Sequence, residues 1–277
     1  MERREEDYPL SHDNWVRSRA LFGERHLEQN DMLRELDREF ADLCVRLIHE
    51  HMYPRQVLSQ KARELCAVAA LTVLDMPQLV SHIKAAIQAG ASREEAAEAV
   101  FQMLTYCGVP RTLNAVAQYR RAIAELAEAE PDGPAAASPR PATPLGSDGL
   151  TAGERALETG ARLYGEAHTR RVLDELEDVD PAFNRMFTEL VYGGLYSRTV
   201  LDPKTRQLLA VAACTVTNAL PQLEGHARAG LRVGLSAAEI REAIFQMVVY
   251  VGFPFTMQAF RLFQTMARNE PAAPRKP

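Results

Sequence analysis

Residues 77–110 read PQLVSHIKAAIQAGASREEAAEAVFQMLTYCGVP, and residues 221–254 read PQLEGHARAGLRVGLSAAEIREAIFQMVVYVGFP. Pro77-Gln78-Leu79 returns as Pro221-Gln222-Leu223, His82 as His226, and Gly90 as Gly234. Phe101-Gln102-Met103 returns as Phe245-Gln246-Met247, and Tyr106, Gly108 and Pro110 return as Tyr250, Gly252 and Pro254. Every pair is 144 positions apart, without a gap. Self-similarity over so long a period sets the architecture before any local signal does. The chain is a tandem duplication.

Working outward, the apolar residues recur by threes and fours, and nothing alternates with period two for long enough to make a strand. The fold class is therefore all-α. In the first copy the spacing predicts a helix from Asn14 to about Glu50, ended by Pro54, and a second from Ser59 to Leu74. Pro77 suits a first helical position, Gly90 a C-terminal cap, and Ser92-Arg93-Glu94-Glu95 a capping box for a helix to about Tyr106. A further helix covers 112–129. In the second copy helices are expected over 151–165, 169–177, 181–192, 203–218, 221–233, 236–250 and 255–268. Residues 131–149, PDGPAAASPRPATPLGSDG, lack periodicity and read as a flexible linker. The expected units are thus a first repeat over 10–130 and a second over 150–270, with residues 1–10 polar and disordered.

The 277 residues carry a net charge of −5, with no basic footprint for nucleic acid. No apolar run approaches the ~18 residues a membrane span needs, and the start MERREEDYPL has no signal-peptide core, so a cytoplasmic protein is expected. The four cysteines, Cys44, Cys66, Cys107 and Cys214, are too scattered for a disulfide framework or a zinc site, so no metal is expected.

His82 and His226 share the apolar face of their helices with Gln78 and Gln222, four residues earlier. A histidine on such a stripe is ordinarily a satisfied core residue. The repetition of an amide and an imidazole on one apolar wall also describes a small-molecule pocket. Tyr53-Pro54-Arg55 and Tyr196-Ser197-Arg198 recur as well; these are helix endings, unless Arg55 and Arg198 turn inward to clamp a carboxylate with a bidentate fork. Arg63 and Arg206 read as structural ion-pair partners, and Tyr106 and Tyr250 as packing residues.

At these residues the chain resembles the carboxymuconolactone decarboxylase family, which includes the alkylhydroperoxidase D-like proteins. The likeness rests on the His followed eight residues later by Gly, the capping box, the FQMxxYxGxP turn and Leu201-Asp202-Pro203-Lys204-Thr205-Arg206. The family's redox branch has cysteines seven and four residues before the His, where this chain has Asp75 and Gln78, and Ala219 and Gln222. Without a thiol there, a CxxC peroxidase mechanism has no nucleophile. In the decarboxylase branch the resemblance implies that His226 with Arg198, and His82 with Arg55, lie near a lactone acid. Tyr196 and Tyr53 stand where that branch has Trp. Gln78 and Gln222 replace its usual Glu, and Gln258 replaces an Asn that the first copy keeps as Asn114.

The expected function is a carboxymuconolactone decarboxylase-like, cofactor-free lyase or isomerase acting on a small unsaturated carboxylic acid or lactone. His226 and His82 are the expected proton donors or relays, Arg198 and Arg55 the oxyanion clamps, and Gln222, Tyr196, Gln78 and Tyr53 the substrate-binding set. Another cofactor-free reaction, a cyclisation or dehydration, and a non-catalytic scaffold are the alternatives. The family's single-repeat hexamers imply a homotrimer of two-repeat chains. The longer family-like lead-in of the second copy points to His226 and Arg198 as the working pair.

Overall fold

A computed structural model describes residues 5–23, 28–129 and 148–269. Among these residues every regular element is helical. The first copy contains α1 (His12–Phe22), α2 (Glu28–Leu36), α3 (Arg38–Val45), α4 (Gln60–Leu74), α5 (Leu79–Gln88), α6 (Arg93–Gln102) and α7 (Leu104–Ala129). The second repeats the order with α8 (Ala152–Tyr164), α9 (Glu166–Val179), α10 (Pro181–Phe187), α11 (Pro203–Val216), α12 (Leu220–Arg232), α13 (Ala237–Gln246) and α14 (Val248–Asn269). Matched π-helical turns, Arg46–Met52 and Thr188–Tyr192, follow α3 and α10 and lead to Tyr53 and Tyr196.

The centre of the molecule is α4 packed on α11. Every residue from Arg63 to Val73, and from Arg206 to Val216, is buried, so these helices lack a solvent face. One apolar core contains residues of both copies, including Leu65, Ile83 and Met103 from the first and Leu209, Ile240 and Met247 from the second. The duplication divides the sequence but not the core.

The two copies are also stitched by reciprocal ion pairs. Glu242 on α13 accepts from Arg63 Nη2 at 2.8 Å and Arg55 Nε at 2.8 Å. In mirror fashion Glu98 on α6 accepts from Arg206 Nη2 at 2.6 Å and Arg198 Nε at 2.8 Å. The glutamine of each FQM triplet joins the frame: Gln102 donates to the Arg206 carbonyl at 2.9 Å, and Gln246 to the Arg63 carbonyl at 3.3 Å. Arg63 and Arg206 are structural ion-pair partners, as their setting in the sequence indicates.

Several local expectations are corrected. The long helix expected from Asn14 to Glu50 is three helices, broken at Gly23 and at Asp37, whose carboxylate caps α3. Pro77 lies before α5 rather than in it. The helices on either side of Gly108 and Gly252 run together across a kink in which these glycines take φ of 75° and 71° with extended ψ. Only glycine occupies that region readily, which explains why the FQMxxYxGxP turn keeps it. Residues 5–10 are ordered: Tyr8 is buried and hydrogen-bonds to Asp31. Residues 1–4, and the expected linker from 131 to 147, lie outside the described residues, whereas Asp148 is ion-paired with Arg155 at 2.7 Å. Among the described residues no helix is long and apolar enough to cross a membrane.

Candidate active site

The α4–α5 hairpin turns at Asp75, which takes a left-handed φ of 57°, and this return lays the inward face of α5 against α4. His82 Nδ1 then meets Glu64 Oε2 at 2.7 Å. Gln60 Nε2 donates to the other carboxylate oxygen at 2.7 Å, fixing the fully buried Glu64 from both sides. A carboxylate accepts only, so Nδ1 carries the proton that faces Glu64, and Nε2 is left without a protein partner among the described residues.

Aromatic rings set the walls. Phe22, at the end of α1, meets His82 edge-on at 5.5 Å and Tyr53 at 5.4 Å. Tyr53 is stacked on His49, which is held by Ser18 at 2.9 Å. Tyr250, from α14 of the second copy, stands against His82 at 5.9 Å. These residues line a cavity of about 760 Å³, together with Gln78, Lys84, Arg121 and Glu125. The Gln78 side-chain oxygen is buried without a hydrogen bond. Glu125 bridges Lys84 and Arg121, each at 2.7 Å, leaving one cation in excess at this wall.

The matching centre in the second copy uses other residues. Gln207 stands where Glu64 does, Tyr164 where Phe22 does, and Tyr192 where His49 does. His226 Nδ1 lies 3.0 Å from Gln207 Oε1 and 3.2 Å from the Tyr164 hydroxyl. Its Nε2 lies 2.9 Å from the Tyr106 hydroxyl, itself 2.6 Å from that of Tyr196. Burial pushes the His226 imidazole down to about 4, so it is neutral at physiological pH, with both nitrogens engaged. Burial likewise pushes the phenols of Tyr106 and Tyr164 well above their ordinary range. None of His226, Gln207 or Tyr196 lines the large cavity.

The candidates read from sequence therefore separate. His82, Tyr53 and Gln78 converge on the cavity, while Tyr196 packs on His226 at the second centre and Gln222 is exposed. Arg55 and Arg198 do turn toward carboxylates, but these are Glu242 and Glu98 of the opposite copy, and neither arginine lines the cavity. Sequence reasoning missed Glu64. It looked for the histidine's carboxylate four residues upstream on the same helix, whereas the fold supplies it from the preceding one. The readable signal was Arg63-Glu64 against Arg206-Gln207, a carboxylate and an amide after matched arginines.

An all-α, two-repeat bundle that places a histidine–carboxylate pair at the junction of its repeats defines the class of this protein. The chain belongs to the carboxymuconolactone decarboxylase family, whose model matches residues 38–121 and again 181–265. It is 27% identical over 123 residues to 4-carboxymuconolactone decarboxylase of Acinetobacter baylyi, covering 44% of this chain and 92% of that protein. It is 33% identical over 122 residues to an uncharacterised 15.0 kDa protein of Paracoccus denitrificans, covering 42% of this chain and 91% of that one. A shorter match, 33% over 79 residues, covers 28% of this chain and 55% of a nitrosuccinic acid decarboxylase of Metarhizium robertsii. The solved structure of a candidate gamma-carboxymuconolactone decarboxylase subunit from Burkholderia xenovorans shares the fold. Its TM-score is 0.57 at 23% identity, covering 93% of this chain and 96% of that one.

Proposed function

We propose that the chain is a cofactor-free carbon–carbon lyase that decarboxylates a small acid at the first centre, with His82 as proton donor and Glu64 as its orienting partner. The observation that carries this reading is the contrast between the two centres. His82 has a buried carboxylate behind it and an unpartnered Nε2 on a large cavity, whereas His226 is neutral and bonded at both nitrogens. The relatives named as decarboxylases, one of a lactone acid and one of nitrosuccinic acid, support the reaction class.

In the step proposed, the bond between the carboxylate carbon and its neighbour breaks and CO2 leaves. The electron pair passes into an adjacent carbonyl or nitro group. In the imidazolium form, with its Nδ1 proton on Glu64, His82 delivers the Nε2 proton to the carbanion, and Nε2 regains one from solvent, so each turnover consumes one proton. Positioned proton transfer of this kind is worth about 10²–10⁴ in rate. The excess cation at Lys84 and Arg121 suits an anionic substrate, and the free Gln78 oxygen suits a substrate hydroxyl. Arg55 and Arg198 are assigned to the frame between the repeats rather than to the substrate. This reading reverses the sequence-based preference for the second copy, because both nitrogens of His226 are already hydrogen-bonded within the protein.

The test is CO2 release from 4-carboxymuconolactone and from nitrosuccinic acid. His82→Asn is expected to lower turnover at least 10²-fold, on the general-acid scale, while His226→Asn retains it. Equal losses at both positions, or no release from either acid, would overturn the reading.

A further inference from the structure

We propose that Tyr250, carried by the second repeat, is a substrate-contacting hydrogen-bond donor of the first centre, its phenol serving the oxygen that collects charge as the carboxylate departs. The proposal rests on the first centre being where substrate binds, and it makes that centre incomplete without the second repeat.

The argument comes from the twin positions. Tyr106 and Tyr250 close opposite centres, each crossing from one copy to the histidine of the other. At the second centre the Tyr106 hydroxyl is spent within the protein, on His226 Nε2 at 2.9 Å and Tyr196 at 2.6 Å. The equivalent partners of Tyr250 are His82 and Tyr53, and among the described residues its hydroxyl bonds to neither. Tyr53 lies beside the Glu64 carboxylate, and burial first, then that charge, raises its phenol well above the ordinary range. The first centre, with Glu64 where the second has Gln207, shows no such chain among the described residues, and His82 Nε2 and the Tyr250 hydroxyl both face one cavity without a protein hydrogen bond.

Tyr250 is half-buried on the cavity wall, and a hydroxyl there without a protein hydrogen bond is available to a ligand. Burial and the nearby Glu64 keep the Tyr250 phenol protonated, so it donates across the working pH range. The second centre shows how close such a phenol comes to its histidine, a separation at which both can reach one small substrate. A donor aimed at a developing oxyanion acts mainly on the transition state.

Tyr250→Phe keeps the ring and removes the donor. With either acid as substrate, kcat is expected to fall about 10²-fold, the usual effect of deleting an oxyanion donor. The melting temperature should stay near that of the parent. The matched control, Tyr106→Phe, breaks two hydrogen bonds at the second centre and should leave turnover unchanged. Occupancy is read separately by carbethoxylation of His82 with diethyl pyrocarbonate, mapped by peptide mass, using succinate as an unreactive probe. Succinate should protect His82 in the parent and do so several-fold less well in Tyr250→Phe.

Undiminished kcat together with undiminished protection in Tyr250→Phe overturns the proposal, as does failure of succinate to protect the parent. If neither acid releases CO2 but protection depends on Tyr250, the lyase reading and the oxyanion role fail, and Tyr250 stands as a substrate-contacting donor only. If CO2 is released and Tyr250→Phe changes neither readout, the reverse holds.

Discussion

One atom distinguishes the two histidine centres at their base: an oxygen in Glu64 is a nitrogen in Gln207. The carboxylate accepts from both His82 and Gln60, whereas the Gln207 amide accepts from His226 and leaves its own NH2 buried without a partner. Glu64→Gln should therefore convert the first centre toward the second. We expect a loss of about 10²-fold in turnover from this change, measured with the same two acids. The buried, neutral His226 makes a separate prediction. Its folded pKa lies below the unfolded value of 6.5, at about 4, so its contribution to stability is complete above pH 6.5 and is lost as pH falls toward 4. The loss is on the order of 3 kcal/mol from that shift. Thermal melts from pH 7 to pH 4 should show it in the parent, and His226→Gln should flatten that part of the curve.

At the scale of elements, the α4–α11 pair and the reciprocal carboxylates hold the sites in place. Glu242 is buried between Arg63 and Arg55, so Glu242→Ala leaves a fully buried guanidinium uncompensated. Breaking one side of a buried pair costs about 3–5 kcal/mol. Urea unfolding should register that cost, and Arg55→Met should lose less because Arg55 is 44% exposed. The kink at Gly252 lies two residues beyond Tyr250 and sets the direction in which that ring leaves α14. Gly252→Ala is expected to cost about 1–3 kcal/mol, since the conformation is closed to a residue with a Cβ, and to lower turnover with it. Much of this level was legible in advance: the capping boxes at Ser92 and Ser236 formed as read. The three-way split of residues 14–50 was not, because apolar spacing continues smoothly through Gly23 and Asp37 and only tertiary packing decides where a short helix turns.

For the whole molecule, the duplication explains why exposed apolar residues come in pairs. Leu36 and Val179, Phe40 and Phe183, and Leu43 and Met186 are exposed at matched places, as are Val109 and Phe253, and Leu113 and Met257. The apolar stretch Leu65–Leu74 packs against α11 of the same chain. We propose that these paired patches are the surfaces on which the homotrimer expected from the family assembles, since recurring exposed apolar surface marks interfaces. Light scattering should give three times the chain mass at micromolar concentration; a stable monomer would refute it. Cys66 and Cys214 are buried, with thiols pushed up to about 12, so neither offers a thiolate near neutral pH. Iodoacetamide should leave both unmodified in the folded protein, with turnover intact.

By itself the sequence determined the all-α class, the duplication and the two histidines, because helical periodicity, caps and a constant offset are local or repetitive signals. It also separated the two copies at Glu64 and Gln207, although nothing local revealed that this position faces the histidine. Which histidine faces the 760 Å³ cavity was decided only by tertiary structure. Glu64 reaches His82 across a helix hairpin, and Tyr250 reaches it from the other repeat, 168 residues further along the chain. Arg55 and Arg198 likewise found their carboxylates in the opposite copy rather than on a substrate. A charge's partner is whichever opposite charge the packed core brings within reach, and that proximity has no counterpart in residue spacing.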